Sequence, residues 1–208
     1  MIVRSTTSHT TGNWIRPFGP IIYTNTTSKM MVDEINYFAK NSKTKYNNNK
    51  NLAGNIEQEW AYEMSDQFKK ELESFVFDYN DILEEQLGKL PNGKPSIHIH
   101  DPWVNVQKKG EWNPVHTHGA DFSCVLYSKI PEELKNEWMH PNQQGNYPTA
   151  GKIEFGYGED LSASRCYMLI KPHEGQFILF PSWLRHHVYP FNSDVERISF
   201  STNFTLQY

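Results

Sequence analysis

The apolar residues of this chain change their period once, near Pro95. Ahead of it they recur mainly at spacings of three and four; beyond it they alternate with polar residues. Residues 1–13 are polar and read as loose chain. Pro20-Ile-Ile-Tyr-Thr24 reads as a first strand, with Pro17 and Pro20 confining its start to a sheet edge. Ser28 is placed to cap a short helix running to about Lys40, with Met31, Ile35 and Phe38 on one face. Residues 41–51 are almost wholly Asn, Lys, Ser and Thr, a solvated loop. Asn55 and Gln58 have the spacing of a capping box. Behind them Ile56, Trp60, Met64, Phe68, Leu72, Phe75, Tyr79, Ile82 and Leu83 predict a long amphipathic helix, or two nearly continuous ones, ending at Gly88. The aromatic stripe on it is read as a face packed on the back of a sheet rather than as a partner surface.

From Pro95 onward eight strands are predicted: 96–106, 113–118, 122–130, 152–157, 165–171, 176–180, 186–191 and 196–206. Turn signals such as Lys109-Gly110, Glu174-Gly175 and Asn192-Ser-Asp194 separate most of them. Short antiparallel strands with helices grouped before them predict a mainly β protein with N-terminal helices, built on a double-sheet jelly roll. One domain is expected over 1–208, with 1–94 as N-terminal strand and helical support and 95–208 as the core. The long segment Pro131 to Gly151 carries Trp138, His140 and Tyr147 and is expected to be a lid or substrate contact.

Composition narrows the class. A formal net charge of −4 without a basic run gives no reason to expect nucleic acid. No apolar run approaches the roughly 18 residues of a membrane span, and Met1-Ile-Val-Arg-Ser-Thr-Thr lacks the apolar core of a secretory signal. Cys124 and Cys166 form neither a Cys-x-x-Cys ligand pair nor a disulfide framework, and both are expected to be small buried hydrophobes in a reducing compartment. A soluble, cytoplasmic protein is the expectation.

The candidate chemistry lies in histidine and arginine. His116 and His118 stand at i and i+2 beside a predicted strand, so an extended backbone turns both imidazoles to one face. His186, with His187 next to it, sits at the mouth of a later strand. Three such imidazoles in one pocket would suit a divalent transition metal; the alternative is a set of ordinary surface histidines. His98 and His100 form a second His-x-His, but nothing later in the chain offers them a third ligand. His9, His140 and His173 read as surface residues. Period two places Arg197, Ser199, Ser201 and Asn203 on one face of the last strand. If that face points inward, a fixed guanidinium with neighbouring hydroxyls suits a small carboxylate; if outward, Arg197 is a solvated charge.

Trp103-Val-Asn105, Gly110, Pro114-Val-His116-Thr-His118 and Phe122-Ser-Cys-Val-Leu-Tyr127 resemble the core of the 2-oxoglutarate and iron(II)-dependent oxygenases. Gly175-Gln-Phe-Ile-Leu-Phe-Pro-Ser-Trp-Leu-Arg-His186, Val188-x-Pro190-Phe191 and Glu196-Arg197-Ile-Ser199 continue the likeness. The subgroup concerned occurs in bacteria and phages and is distantly similar to prolyl hydroxylases; the likeness covers about residues 95–206. It implies a double-stranded β-helix (jelly roll, cupin-like) with iron at its open end. It assigns His116 as first ligand and His186 as the distal one, with His187 second choice. It implies that Arg197, aided by Ser199, takes the far carboxylate of 2-oxoglutarate, with Tyr127 and Asn105 lining the same cavity. The wider superfamily has a carboxylate where this chain has His118. Strand geometry favours His118 as third ligand, whereas charge matching to iron(II) favours Asp121. The implied activity is hydroxylation of a C–H bond in a peptide or small-molecule substrate, with release of succinate and carbon dioxide. The rival readings are a non-catalytic jelly-roll module and a cupin-type metal enzyme that does not use 2-oxoglutarate.

Overall fold

A computed structural model describes residues 3–4, 12–15, 19–41, 54–88, 95–139, 148–162 and 165–208. Thirteen strands and three helices are assigned among them. Three short N-terminal strands, β1 (Val3–Arg4), β2 (Asn13–Ile15) and β3 (Ile22–Thr26), precede helix α1 (Lys29–Asn41). Strand β4 (Glu59–Ala61) and helix α2 (Asp66–Leu87) follow. The β-rich part then runs β5 (Ser96–Ile99), β6 (Trp103–Gln107), β7 (Asn113–His116) and β8 (Phe122–Lys129) into the short helix α3 (Glu132–Glu137). It closes with β9 (Ile153–Gly156), β10 (Tyr167–Ile170), β11 (Gln176–Pro181), β12 (Arg185–Val188) and β13 (Arg197–Gln207).

Two antiparallel sheets face each other. The larger has the order β1-β2-β3-β11-β8-β13-β6-β4, with β5 also paired to β13; the smaller has the order β10-β9-β12-β7. All eight predicted strand regions are present, although the first divides into β5 and β6 at His100-Asp101-Pro102. Proline there has no N–H to give a ladder, and β13 is long enough to pair Phe204–Gln207 with β5 and Arg197–Ser201 with β6. The fold is the mainly antiparallel jelly roll expected.

Alternation sorts the core into two. One face of the larger sheet, through Val104, Val106, Leu126, Phe177, Phe200 and Phe204, packs on Met31 and Ile35 of α1 and on Phe68, Leu72, Phe75 and Tyr79 of α2. The stripe on α2 is thus a packing face, as read. A second cluster between the sheets joins Val125, Tyr127, Ile178 and Phe180 to Ile153, Phe155, Leu184 and Phe191.

Four expectations need correction. The long helix begins at Ser65, not Asn55: the Ser65 hydroxyl accepts from Phe68 N–H at 3.2 Å, and Gly88 closes the helix at φ 58°. Asn55 instead bridges to Trp112, and Glu59, Trp60 and Ala61 pair with Asn105, Val104 and Trp103. Strand β3 is internal, flanked by β2 and β11; it starts two residues beyond Pro20, where a missing N–H costs the ladder nothing, and Pro17 lies outside the described residues. Trp138 is no lid contact. It is buried, its indole N–H donates to Ala150 O at 2.7 Å, and it packs with Leu134 and Ile153. Burying so large a ring gains more than exposing it on a loop. His140 and Tyr147 lie outside the described residues. Cys124 is buried but Cys166 only partly so.

Candidate metal centre

Strand pairing brings the first two imidazoles together. Strands β12 and β7 are antiparallel, and His186 stands directly across from His116. Two residues past His116, the backbone N–H of His118 donates to Ser182 O at 2.9 Å, which pins the end of the β7 segment against the loop leading into β12. The ring centroids of His116 and His186 are 4.3 Å apart, with His118 at 4.9 Å from the first and 5.2 Å from the second. One nitrogen from each ring falls in a group whose members all lie within 4.8 Å of one another.

Their tautomers follow from the backbone. His116 Nδ1 lies 2.7 Å from Pro114 O, and His186 Nδ1 lies 2.8 Å from Leu184 O. A carbonyl can only accept, so Nδ1 carries the proton in each ring and Nε2 keeps its lone pair. Burial holds the imidazoles neutral: His186 is pushed down to about 3, His118 to about 4, and His116 in the same direction. Neighbouring imidazoles add to the shift at His186 and His118. Three neutral rings, two of them oriented by backbone carbonyls, are a donor set fit for a divalent ion.

The other candidates are placed apart. His187 pairs in register with Glu154 and lies against Tyr189, ring to ring at 4.5 Å, and does not line the cavity. Asp121 is exposed, its Oδ2 accepts from Leu206 N–H at 2.8 Å, and it lines a separate groove with Trp183 and Leu206. His98 and His100 lie together on the side of β5, and His100 Nε2 meets the Thr205 hydroxyl at 2.8 Å. Among the described residues they gather no third ligand.

The triad opens into a cavity of about 310 Å³ between the sheets. Arg197, Ser199, Ser201 and Asn203 all line it, so the polar face of β13 points inward. Arg197 is 2% exposed and its Nη1 donates to Gly151 O at 2.7 Å, while Nε has no hydrogen-bond partner. The Tyr127 hydroxyl, also buried, has none either, and the Arg197 guanidinium lies 5.2 Å from the Tyr127 ring centroid. Ser199 stands across from Tyr127 in the ladder. Two buried donors without acceptors are costly as they stand, and a carboxylate set between them would satisfy both. Asn105 lines the cavity too. With its amide oriented so that each atom meets its complement, Nδ2 donates to Glu59 Oε2 at 2.9 Å and Oδ1 accepts from Trp103 Nε1–H at 3.1 Å.

Glu59 escaped the sequence reading. It is buried, at 2% exposure, and lines the same cavity. Its position in an apparent helical stripe concealed it; a spacing of four, as in Ile56, Trp60 and Met64, fits period two as well as the helix. Trp103 and Asn113 complete that side of the wall.

Residues 101–203 match the family described as "Putative 2OG-Fe(II) oxygenase". Over this span the chain belongs to the 2OG-Fe(II) oxygenases. The three histidines, Tyr127, Arg197 and Ser199 all fall inside it, and Glu59 falls outside. The family uses iron(II) and 2-oxoglutarate, so the chain is an enzyme of that class and a purely structural jelly roll is set aside. No curated protein matches the sequence. Solved structures with a similar fold include a Pseudomonas putida prolyl-4-hydroxylase, at TM-score 0.55 and 15% identity over 88% of this chain and 92% of that one. A viral collagen prolyl hydroxylase from Paramecium bursaria Chlorella virus 1, solved with 2OG, matches at TM-score 0.51 and 13% identity over 90% and 96%. A Trichoplax adhaerens prolyl hydroxylase, solved with a hypoxia-inducible-factor peptide fragment, matches at 0.52 and 14% over 90% and 83%. Among the described residues no helix is long and apolar enough to cross a membrane.

Proposed function

We propose that this oxygenase hydroxylates a C–H bond of a peptide or small-molecule substrate, with iron(II) held by His116, His118 and His186 and 2-oxoglutarate anchored by Arg197. The observation that carries the reading is the pairing of two unmet buried donors, Tyr127 hydroxyl and Arg197 Nε, with three neutral imidazoles in one cavity. When bound, the metal and 2-oxoglutarate supply the oxidation: dioxygen gives one oxygen atom to succinate and one to the product alcohol, and carbon dioxide leaves.

The chain's own residues do the rest. Pro114 O and Leu184 O hold the Nδ1 protons of His116 and His186 and so keep Nε2 free to ligate. Arg197 supplies the fixed charge for the far carboxylate of the cosubstrate, with Tyr127 and Ser199 as hydroxyl donors beside it. Val125, Ile153, Phe180 and Val188 give the cavity apolar walls, which limit water around a reactive centre. Asn105, the ladder partner of Ser199, has both ends of its amide engaged, by Glu59 and Trp103.

Anaerobic addition of 2-oxoglutarate to the iron(II)-loaded protein should raise a weak visible charge-transfer band. Arg197→Ala should lose the band at matched concentrations and abolish 2-oxoglutarate turnover while still binding metal. Unchanged succinate production in that variant would exclude the assignment.

A further inference from the structure

Beyond Asn203, the last β13 residue to line the cavity, the same face of the larger sheet runs on toward solvent. Period two puts Thr205 on that face, and Thr205 stands across from His98 in β5. His100 follows two residues later on the same side, its backbone N–H donating to Asn203 O at 2.9 Å. Ile97 and Ile99 turn the other way and pack against the core under the helices. The second His-x-His therefore stands on the face that carries the cavity, where the cavity lining ends.

Its geometry repeats that of the first. The rings of His98 and His100 are 4.8 Å apart and inclined at 81°, against 4.9 Å and 87° for His116 and His118. His98 is exposed, so ions in solution reach its ring. His100 Nε2 meets the Thr205 hydroxyl at 2.8 Å. When that hydroxyl accepts from Nε2–H, the lone pair of Nδ1 is left for an ion and the ring is already oriented. Among the described residues no carboxylate, thiol or third imidazole joins the pair. Its protein donors are thus two nitrogens, and water takes the remaining positions. Such a set favours zinc(II), nickel(II) and copper(II) over manganese(II) and magnesium(II), which prefer oxygen.

We propose that His98 and His100 form a second transition-metal site, for zinc(II), nickel(II) or copper(II), distinct from the triad of His116, His118 and His186. Three protein ligands hold an ion more tightly than two, so the triad fills first and the pair on β5 second. The inference needs only the second pair and does not rest on the oxygenase reading.

The test titrates zinc(II) into the whole protein. Calorimetry should resolve two binding steps, and His98→Ala should weaken the second by about ten-fold or more while leaving the first unchanged. Affinity for N-oxalylglycine, an unreactive analogue of 2-oxoglutarate, should be the same in the variant and the unmodified protein, so that loss of the second step is not loss of the fold. A measurement on the unmodified protein decides the matter even if the variant misfolds. The second equivalent of zinc(II) should move the imidazole NMR resonances of His98 and His100 ahead of those of the other histidines outside the triad. Absence of a second zinc(II) step, a second step untouched by His98→Ala, or movement that begins at another histidine each overturns the proposal. A second manganese(II) step as strong as that of zinc(II) overturns it too, because two nitrogen donors would not give one.

Discussion

His116 and His186 use the same local device: each gives its Nδ1 proton to the carbonyl two residues earlier, Pro114 O in one case and Leu184 O in the other. A hydrogen bond of this range orients the ring before any metal arrives, so little ordering remains to be done on binding. His118 is held instead through its backbone N–H, which donates to Ser182 O. That difference makes it the residue whose role most needs a direct test. Removing the imidazole in His118→Ala should weaken manganese(II) or iron(II) binding by roughly 10- to 100-fold, the range seen when a metal site loses a supporting group, or by more. Asp121→Asn should leave metal affinity within about two-fold, because its carboxylate is committed to Leu206 N–H. Equilibrium dialysis of the two variants reads the answer, and the opposite ranking would return Asp121 to the ligand set. Period two placed His118 beside His116 in sequence, while it was the family likeness that made His187 second choice to His186. What spacing could not weigh was the charge argument for Asp121, since the Leu206 contact is 85 residues distant.

Helix α2 shows how an element can be right in kind and wrong in extent. Its true start is Ser65, whose hydroxyl accepts from Phe68 N–H and donates to Glu34 Oε2 at 2.6 Å, tying the helix to α1. Ser65→Ala should therefore cost about 1 kcal/mol from the lost cap, with a further contribution from Glu34, and leave the affinity for N-oxalylglycine unchanged. Urea denaturation beside calorimetry checks both halves. The ten residues read as the helix's first turns instead contain the three-residue strand β4, Glu59–Ala61, which lines the site. Ile56, Trp60 and Met64 are four apart, a spacing that satisfies a helical stripe and an extended strand equally. The decision fell to pairing: β6 presents a free ladder edge, and Glu59 to Ala61 fill it. The consequence reaches function, because only the strand assignment turns Glu59 into the cavity.

At the scale of the molecule, the barrel holds an unfilled set of obligations. One buried and two half-buried imidazoles, a buried guanidinium and an unmet phenol occupy one cavity, and each is better satisfied with ligands than without. The metal-free protein should be sensitive to acid. Folding holds His186 at about 3 and His118 at about 4, below their ordinary value of 6.5. Between about 6.5 and those values the unfolded chain binds the extra protons, so stability falls as pH drops through this window. Each histidine contributes a slope of up to about 1.4 kcal/mol per pH unit. Saturating manganese(II) binds the folded state alone, adding about 2.7 kcal/mol at a hundred-fold excess over its Kd at neutral pH. Thermal denaturation from pH 7 to pH 4, with and without metal, should show a falling midpoint without metal and a raised one with it. A flat profile for the metal-free protein would mean that these imidazoles are already open to solvent.

Local pattern was enough for what depends on local chemistry. Alternation located every strand region of the jelly roll after Pro95, put His116 and His118 on one face, and lined up Arg197, Ser199, Ser201 and Asn203 on another. The motifs around them carried the family. Tertiary structure alone decided what depends on register and contact between distant segments. It set His186 opposite His116, turned the β13 polar face inward, buried Trp138 and engaged Asp121 elsewhere. It also carried Glu59 from an apparent helix into the wall of the site. The physical reason is that periodicity records which side of an element is apolar, whereas a cavity is made by the sides of several elements at once.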